Sequence, residues 1–233
     1  MVRGIDISAY QTGVDYNTLK QSGIEFAIIR AGYGKVTTQK DKLFETHYAG
    51  LKKVGIPVGA YWYSYAMDEN AAVAEARACI EVLKGKQYEY PIYYDVEENA
   101  QYKLGKQKVS AIIKAFCTEM EKAGYWVGVY TNTSWYNSVI TDDIKTRYAI
   151  WIAHWGVTKP GISGEYGLWQ YKVAPQAGIN GDCDLDYGYI DYPVLIKKAG
   201  KNGYSNEPTP AKKKISVQIS VDGTLYAGEL TEV

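Results

Sequence analysis

The segment PIYYDVEEN, residues 91–99, carries Asp95, Glu97 and Glu98 out of a run that otherwise suits a buried strand. Side chains alternate across a strand, so Ile92, Tyr94 and Val96 share one face and Tyr93, Asp95 and Glu97 share the other. Two other segments repeat the pattern. In RGIDIS (3–8), Gly4, Asp6 and Ser8 oppose Ile5 and Ile7; in DCDLDY (182–187), Asp182, Asp184 and Asp186 fall on one face. If these strands border one sheet, Asp6, Asp95, Glu97 and Asp184 converge on one mouth, and Arg30 is the one basic residue placed to neutralise them. A single acid at a strand end is ordinarily a solvated rim residue or a helix cap. An Asp-x-Glu pair joined by acids from two more strands calls for another explanation.

Two chemistries use such a cluster: divalent-metal binding through oxygen ligands, and glycoside hydrolysis, which needs a paired acid and base. The aromatic residues favour the second. The chain has 23 tyrosines and 6 tryptophans, and Tyr61, Tyr63, Tyr130, Trp151 and Trp155 lie on or near strand ends, where rings can stack on sugar faces. Asp95 and Glu97 are two residues apart on one strand, with backbones roughly 6–7 Å apart. Like charges that close raise the pKa of one member. Glu97 is longer and nearer the rim, so it is expected to be the protonated general acid, with Asp95 ionised. This spacing falls between the separations of retaining and inverting enzymes and leaves the stereochemistry open.

Other chemistries find little support. There are only two histidines, His47 and His154, so no metal site is expected. No cofactor motif is present either: AGYGKVT (31–37) has Gly-Lys-x-Thr but not the spacing of a phosphate loop. The three cysteines (Cys79, Cys117 and Cys183) match no redox or metal spacing. Lys+Arg and Asp+Glu are both 26, which gives no basic bias for nucleic acid. No apolar run is long enough to span a membrane.

The elements that must position the acids alternate. Strands are expected at 3–8, 25–32, 57–64, 91–97, 126–131, 149–155, 167–173 and 182–187, and helices at 15–22, 41–54, 69–84 and 106–123. In the last helix Val109, Ile112, Ile113, Phe116, Cys117 and Met120 follow the helical period. Alternating strands and helices imply an α/β fold with a mostly parallel sheet. About eight strands, with fewer helices in the second half, predict an irregular TIM-like (β/α) barrel over residues 1–199, whose chemistry sits at the C-terminal ends of the strands. An open doubly wound sheet is the alternative, and it fits less well because no glycine-rich loop follows the first strand. Residues 200–211 (GKNGYSNEPTPA) read as a linker. In 212–233, Ile215, Val217, Ile219 and Val221 alternate up to Asp222-Gly223, the signal of a β-hairpin. An isolated hairpin is marginal in water, so this tail is expected to dock on the barrel, on a partner or on a second copy. Unchanged mass and wall binding after deletion of 205–233 would remove that idea.

Taken together, GIDISAYQ (4–11), GIEFAIIRAGYG (23–34), VGIPVGAYWYS (54–64), PIYYDVE (91–97), VGVYTN (127–132), YAIWIAHW (148–155), LWQY (168–171) and GINGDCDLDYGY (178–189) resemble glycoside hydrolase family 25, the Chalaropsis-type lysozymes. The resemblance implies an N-acetylmuramidase that cuts the β-1,4 bond between N-acetylmuramic acid and N-acetylglucosamine in bacterial peptidoglycan. On that reading Glu97 is similar to the family's acid/base and Asp95 to its partner carboxylate. Asp6 and Asp184 correspond to the flanking acids, and Gln170 of LWQY and Asp186 join the aromatics as substrate-binding candidates. Asp186 stands where an Asn is common. The aromatic that usually follows WIA is displaced by His154, and period-2 alternation puts Trp155 on the face of Trp151. The resemblance leaves open whether the 2-acetamido oxygen attacks the anomeric carbon or water does so with inversion. MVRGIDIS enters a strand with no basic-then-apolar leader. That fits cytoplasmic synthesis and release at lysis, as for a phage lysin, or secretion after a leader is removed. The rival readings are a non-catalytic glycan-binding barrel and a chitinase-like β-N-acetylglucosaminidase.

Overall fold

The computed structural model describes residues 1–205 and 214–231. Eight strands close into a barrel in sequence order: β1 (Val2–Ile7), β2 (Phe26–Tyr33), β3 (Val58–Tyr63), β4 (Ile92–Asp95), β5 (Val127–Asn132), β6 (Ala149–Ala153), β7 (Leu168–Pro175) and β8 (Asp182–Gly188). Helices α1 (Tyr16–Gln21), α2 (Phe44–Lys53), α3 (Glu69–Leu83), α4 (Asn99–Tyr102), α5 (Lys106–Lys122), α6 (Thr133–Ser138), α7 (Asp142–Arg147) and α8 (Tyr192–Lys198) connect the strands or follow them. The helices do shorten in the second half: α3 has 15 residues and α5 has 17, whereas α6 and α7 have 6 each.

One strand runs against the rest. The pairs from β1–β2 through β6–β7 are parallel, but β8 is antiparallel to both β7 and β1. The cause is the short connection between Pro175 and Asp182. A parallel return needs a crossover of a dozen or more residues, and a direct turn forces reversal. The acids of β8 therefore reach the mouth from the strand's N-terminal end, not from its C-terminal end as expected of the strand ends generally. Asp184 pairs with Asp6 in register, and Asp186 lies one step deeper, opposite Gly4.

Alternation sorts the strand side chains into two cores. Outward-facing residues pack under the helices; the Tyr94 ring, for example, stacks on Phe116 of α5 at 3.8 Å. The buried stripe expected on α5, from Val109 to Met120, is the face it presents. The lumen is filled by aromatic rings in tiers. Phe26, Tyr90 and Tyr192 form the base, with the first two stacked at 4.5 Å. Trp151 lies above them, 5.2 Å from Tyr93 and 4.5 Å from Tyr130. Two glycines make this filling feasible. A Cβ on Gly4 would lie 2.2 Å from the Phe26 ring, and one on Gly128 would lie 2.5 Å from Tyr93. Helix α8, absent from the sequence expectation, inserts Tyr192 and Ile196 into the bottom of the lumen and seals it. What remains open is the mouth.

The packed chain also runs past the expected boundary at 199. Asn202 is buried, takes a left-handed backbone (φ 55°) and ties together the segments that lead into β4 and β5 at the base. Its Oδ1 accepts from Trp126 N at 2.7 Å, and its Nδ2 donates to Tyr90 O at 2.9 Å. Tyr204 reaches Glu89 with its hydroxyl. Residues 200–205 thus belong to the barrel, and the rest of the expected linker lies outside the described residues. Asn202→Ala should cost roughly 1–3 kcal/mol, since it strands a buried donor and a buried acceptor. A fall in the urea midpoint without a change in slope would show it. Beyond the barrel, β9 (Lys214–Val221) and β10 (Thr224–Thr231) form an antiparallel hairpin. Asp222 and Gly223 both have positive φ, 51° and 78°, as a two-residue type I′ turn requires.

Candidate active site

The mouth of the barrel opens into a cleft of about 1240 Å³. Asp6, Asp95, Glu97 and Asp184 all border it, as do Tyr61, Tyr63, Tyr130, Trp151, Trp155 and Gln170. Asp186 does not. It is 1% exposed and sits beneath the floor, where its Oδ1 accepts from Trp151 Nε1 at 2.7 Å. Asp95 is the last residue of β4, so Glu97 lies just past the strand. The alternation nonetheless continues through it, because Val96 N still donates to Tyr130 O and Val96 stays in the outer core.

The polar side chains of the floor are joined. Gln170 of β7 donates from Nε2 to Asp6 Oδ2 at 2.8 Å. Its Oε1 accepts from the Tyr130 hydroxyl at 3.0 Å and from Trp155 Nε1 at 3.2 Å. Trp155, 54% exposed, thereby holds one edge of the cleft open. Asn132 caps α6 by accepting from Trp135 N and so fixes the adjoining edge. Arg30 is committed elsewhere. Its Nε donates to Asp41 Oδ2 at 2.7 Å, and Asp41 also accepts from the backbone N–H groups of Ala9 and Leu43. The expectation that Arg30 neutralises the cleft acids is therefore met only at a distance: it draws the Asp95 pKa down without bonding it.

Burial dominates the electrostatics. Asp95 is 4% exposed, and its Oδ1 has no hydrogen-bond partner among the described residues. Desolvation first, and then the neighbouring charge of Glu97, push its pKa well above the ordinary carboxylate value. Glu97 is also raised, by partial burial and then by Glu98 and Asp184, but from a wetter position. Both members of the pair are thus raised, so the pair retains a proton in the free protein, and Asp95 is the more deeply buried of the two. Asp184 is pushed up to about 6 by burial. Among the described residues no cluster of three or more His, Cys, Asp and Glu side chains is arranged to hold a metal ion.

Several cleft residues carried no usable sequence signal. Tyr10, 80% exposed, comes from the loop after β1 and lies under the Arg30 guanidinium, 5.1 Å from ring centroid to carbon. Tyr33 and Tyr65 meet edge to face at 6.1 Å on the opposite rim from Trp155. Tyr65 could have been found, because Tyr61, Tyr63 and Tyr65 continue one alternation. His154 borders the cleft beside Trp155, with its Nδ1 accepting from Gly161 N at 3.0 Å.

A closed α/β barrel that gathers an Asp-x-Glu pair and two flanking acids in an aromatic cleft is the arrangement of a carboxylate-dependent glycosidase. The family model "Glycosyl hydrolases family 25" matches residues 5–178, and the chain belongs to that family. The chain is 32% identical to the autolytic lysozyme of Clostridium acetobutylicum over 209 residues, covering 88% of this chain but 62% of the relative. It superposes on the CTP1L endolysin with a TM-score of 0.76 at 26% identity, covering 84% of this chain and 70% of that one. With the modular autolysin LytC of Streptococcus pneumoniae, solved with a synthetic peptidoglycan ligand, the TM-score is 0.72 at 28% identity, covering 81% and 46%.

Proposed function

We propose that the protein hydrolyses bacterial peptidoglycan at the β-1,4 bond between N-acetylmuramic acid and N-acetylglucosamine, with Glu97 as general acid/base and Asp95 as its partner. The observation that carries this reading is Asp95: a buried carboxyl bordering the cleft, with an oxygen that no protein donor satisfies. The N–H of a bound sugar's 2-acetamido group is a fitting donor. Its arrival stabilises ionised Asp95, so the proton held by the pair resides on Glu97, where it can be passed to the leaving oxygen. The acetamido oxygen then attacks the anomeric carbon as that bond breaks, and Glu97, now a base, activates the water that opens the cyclic intermediate. This route predicts retention of configuration, whereas direct attack by water predicts inversion. Support for a wall substrate comes from the family and from the lysozyme, endolysin and autolysin relatives. On the same reading, the hairpin of residues 214–231 is a docking or self-association element beside the catalytic barrel.

The test is release of reducing ends from purified peptidoglycan, identified by mass, with the first-formed anomer read by proton NMR. Muramic-acid reducing ends establish the bond. Glucosamine reducing ends keep the glycosidase and move the cut. Wall binding without release makes the barrel a glycan-binding module.

A further inference from the structure

We propose that Asp6 and Asp186 form a carboxyl pair holding one proton between them at neutral pH, and that this pair is a positioning element that sets Gln170, and through it Tyr130 and Trp155, beneath the reacting acids. The inference rests on the functional reading only for its consequence, not for the pair itself.

The geometry begins with the register of β1 and β8. Asp6 faces Asp184 and Gly4 faces Asp186, so Asp6 and Asp186 are diagonal neighbours on the lumen side. The two carboxyl groups are neighbours and repel one another when both are ionised. Two carboxylates cannot bond one another, because ionised oxygens only accept. Asp186 Oδ2 is buried and has no donor to accept from. One proton removes the contradiction. Trp151 Nε1 donates to Asp186 Oδ1, the proton bridges Asp186 and Asp6, and Gln170 Nε2 donates to Asp6 Oδ2. Gln170 Oε1 then accepts from Tyr130 and Trp155. With the bridge in place, six side chains around the lumen (Trp151, Asp186, Asp6, Gln170, Tyr130 and Trp155) form one hydrogen-bonded belt.

The surroundings favour one negative charge over two. Asp184 faces the pair from β8, Tyr61 from β3, Tyr93 from β4 and Tyr130 from β5, while the Cys183 thiol and Tyr171 lie on the outer side of β8 and β7. None of these is a cation, and Arg30 on β2 is bonded to Asp41. Desolvation is the first cause of the upward shift in both members, and the charge of Asp184 adds to it. The two titrate as a unit, so the proton belongs to the pair. Its loss as pH rises would put a second charge under the cleft and break the belt at its middle.

The test compares the full chain with Asp186→Asn and Asp186→Ala. Asn keeps the acceptor for Trp151 and supplies a permanent donor to Asp6; Ala supplies neither. At neutral pH the infrared carbonyl band of buried protonated carboxyls is expected to contain two components in the wild type, one from the Asp95–Glu97 pair and one lost from Asp186→Asn. Both folded-state pKa values are raised, so wild-type stability should decline as pH rises above the ordinary carboxylate range. Asp186→Asn should lack this decline and gain on the wild type as pH rises. Wall hydrolysis should fall at least about tenfold in Asp186→Ala, be rescued in Asp186→Asn, and persist to higher pH in the rescued variant. An unchanged infrared band and parallel stability–pH curves would overturn the pair. So would a failure of Asn to rescue while the fold is kept. The spectra and stability need no substrate, so a wild type inactive on walls would sink the muramidase reading and leave the pair tested.

Discussion

Glu97→Gln should lower peptidoglycan hydrolysis by about 10²- to 10⁴-fold, the usual contribution of a positioned general acid/base, while the circular-dichroism spectrum and substrate affinity stay near wild type. Glutamine matches the shape and removes the transferable proton. The leaving group is a sugar alkoxide, a poor one without protonation, so the upper part of that range is expected. Because Glu97 lies past the end of β4 on the wetter side of the cleft, the substitution leaves no buried partner stranded. An aryl glycoside with a good leaving group needs no proton on departure, so it should recover most of the lost rate in its first step. A loss equal for both substrates would make Glu97 a structural or binding residue.

Much of this site was legible because strand alternation is a local property. Asp6, Asp95 and Glu97 were placed on one face by period 2, and the rings of Tyr61, Tyr130 and Trp151 by their position on or near strand ends. The closed order of eight strands followed from the alternation of strands and helices. What escaped is tertiary. An alternating pattern reads the same in either direction, so nothing in DCDLDY announces that β8 is reversed; only the short link before it does. That reversal carries Asp186 below the floor, where Trp151 covers it. Loop residues have no period, so Tyr10 went unmarked despite its place beside Arg30. Asn202 read as linker because its composition is that of a turn, yet its amide satisfies backbone groups on two other segments. The raised pKa of Asp95 was hidden for the same reason: reach can be judged from chain length, but depth of burial cannot.

That depth gives Asp95→Asn an expected result with two opposite signs. Hydrolysis should fall by about 10²- to 10³-fold, the range seen when one preorganised electrostatic contact to the transition state is removed. The loss should appear mainly in kcat, since the negative charge matters most once the acetamido nitrogen and the anomeric centre become positive. Stability should move the other way. Wild-type Asp95 folds with a raised pKa, so its contribution is complete below the ordinary carboxylate range and is lost as pH rises towards the raised value. Asparagine is neutral throughout and suffers no such loss. Asp95→Asn should therefore melt near the wild type at pH 4 and above it at pH 7, the gap widening by up to about 1.4 kcal/mol per pH unit. Thermal melts across that interval, taken with steady-state rates, read both signs at once. A variant that loses activity and stability together would show Asp95 to be a packing residue. One that gains stability while losing turnover shows a buried charge held in place at the fold's expense, waiting for a donor that the substrate brings.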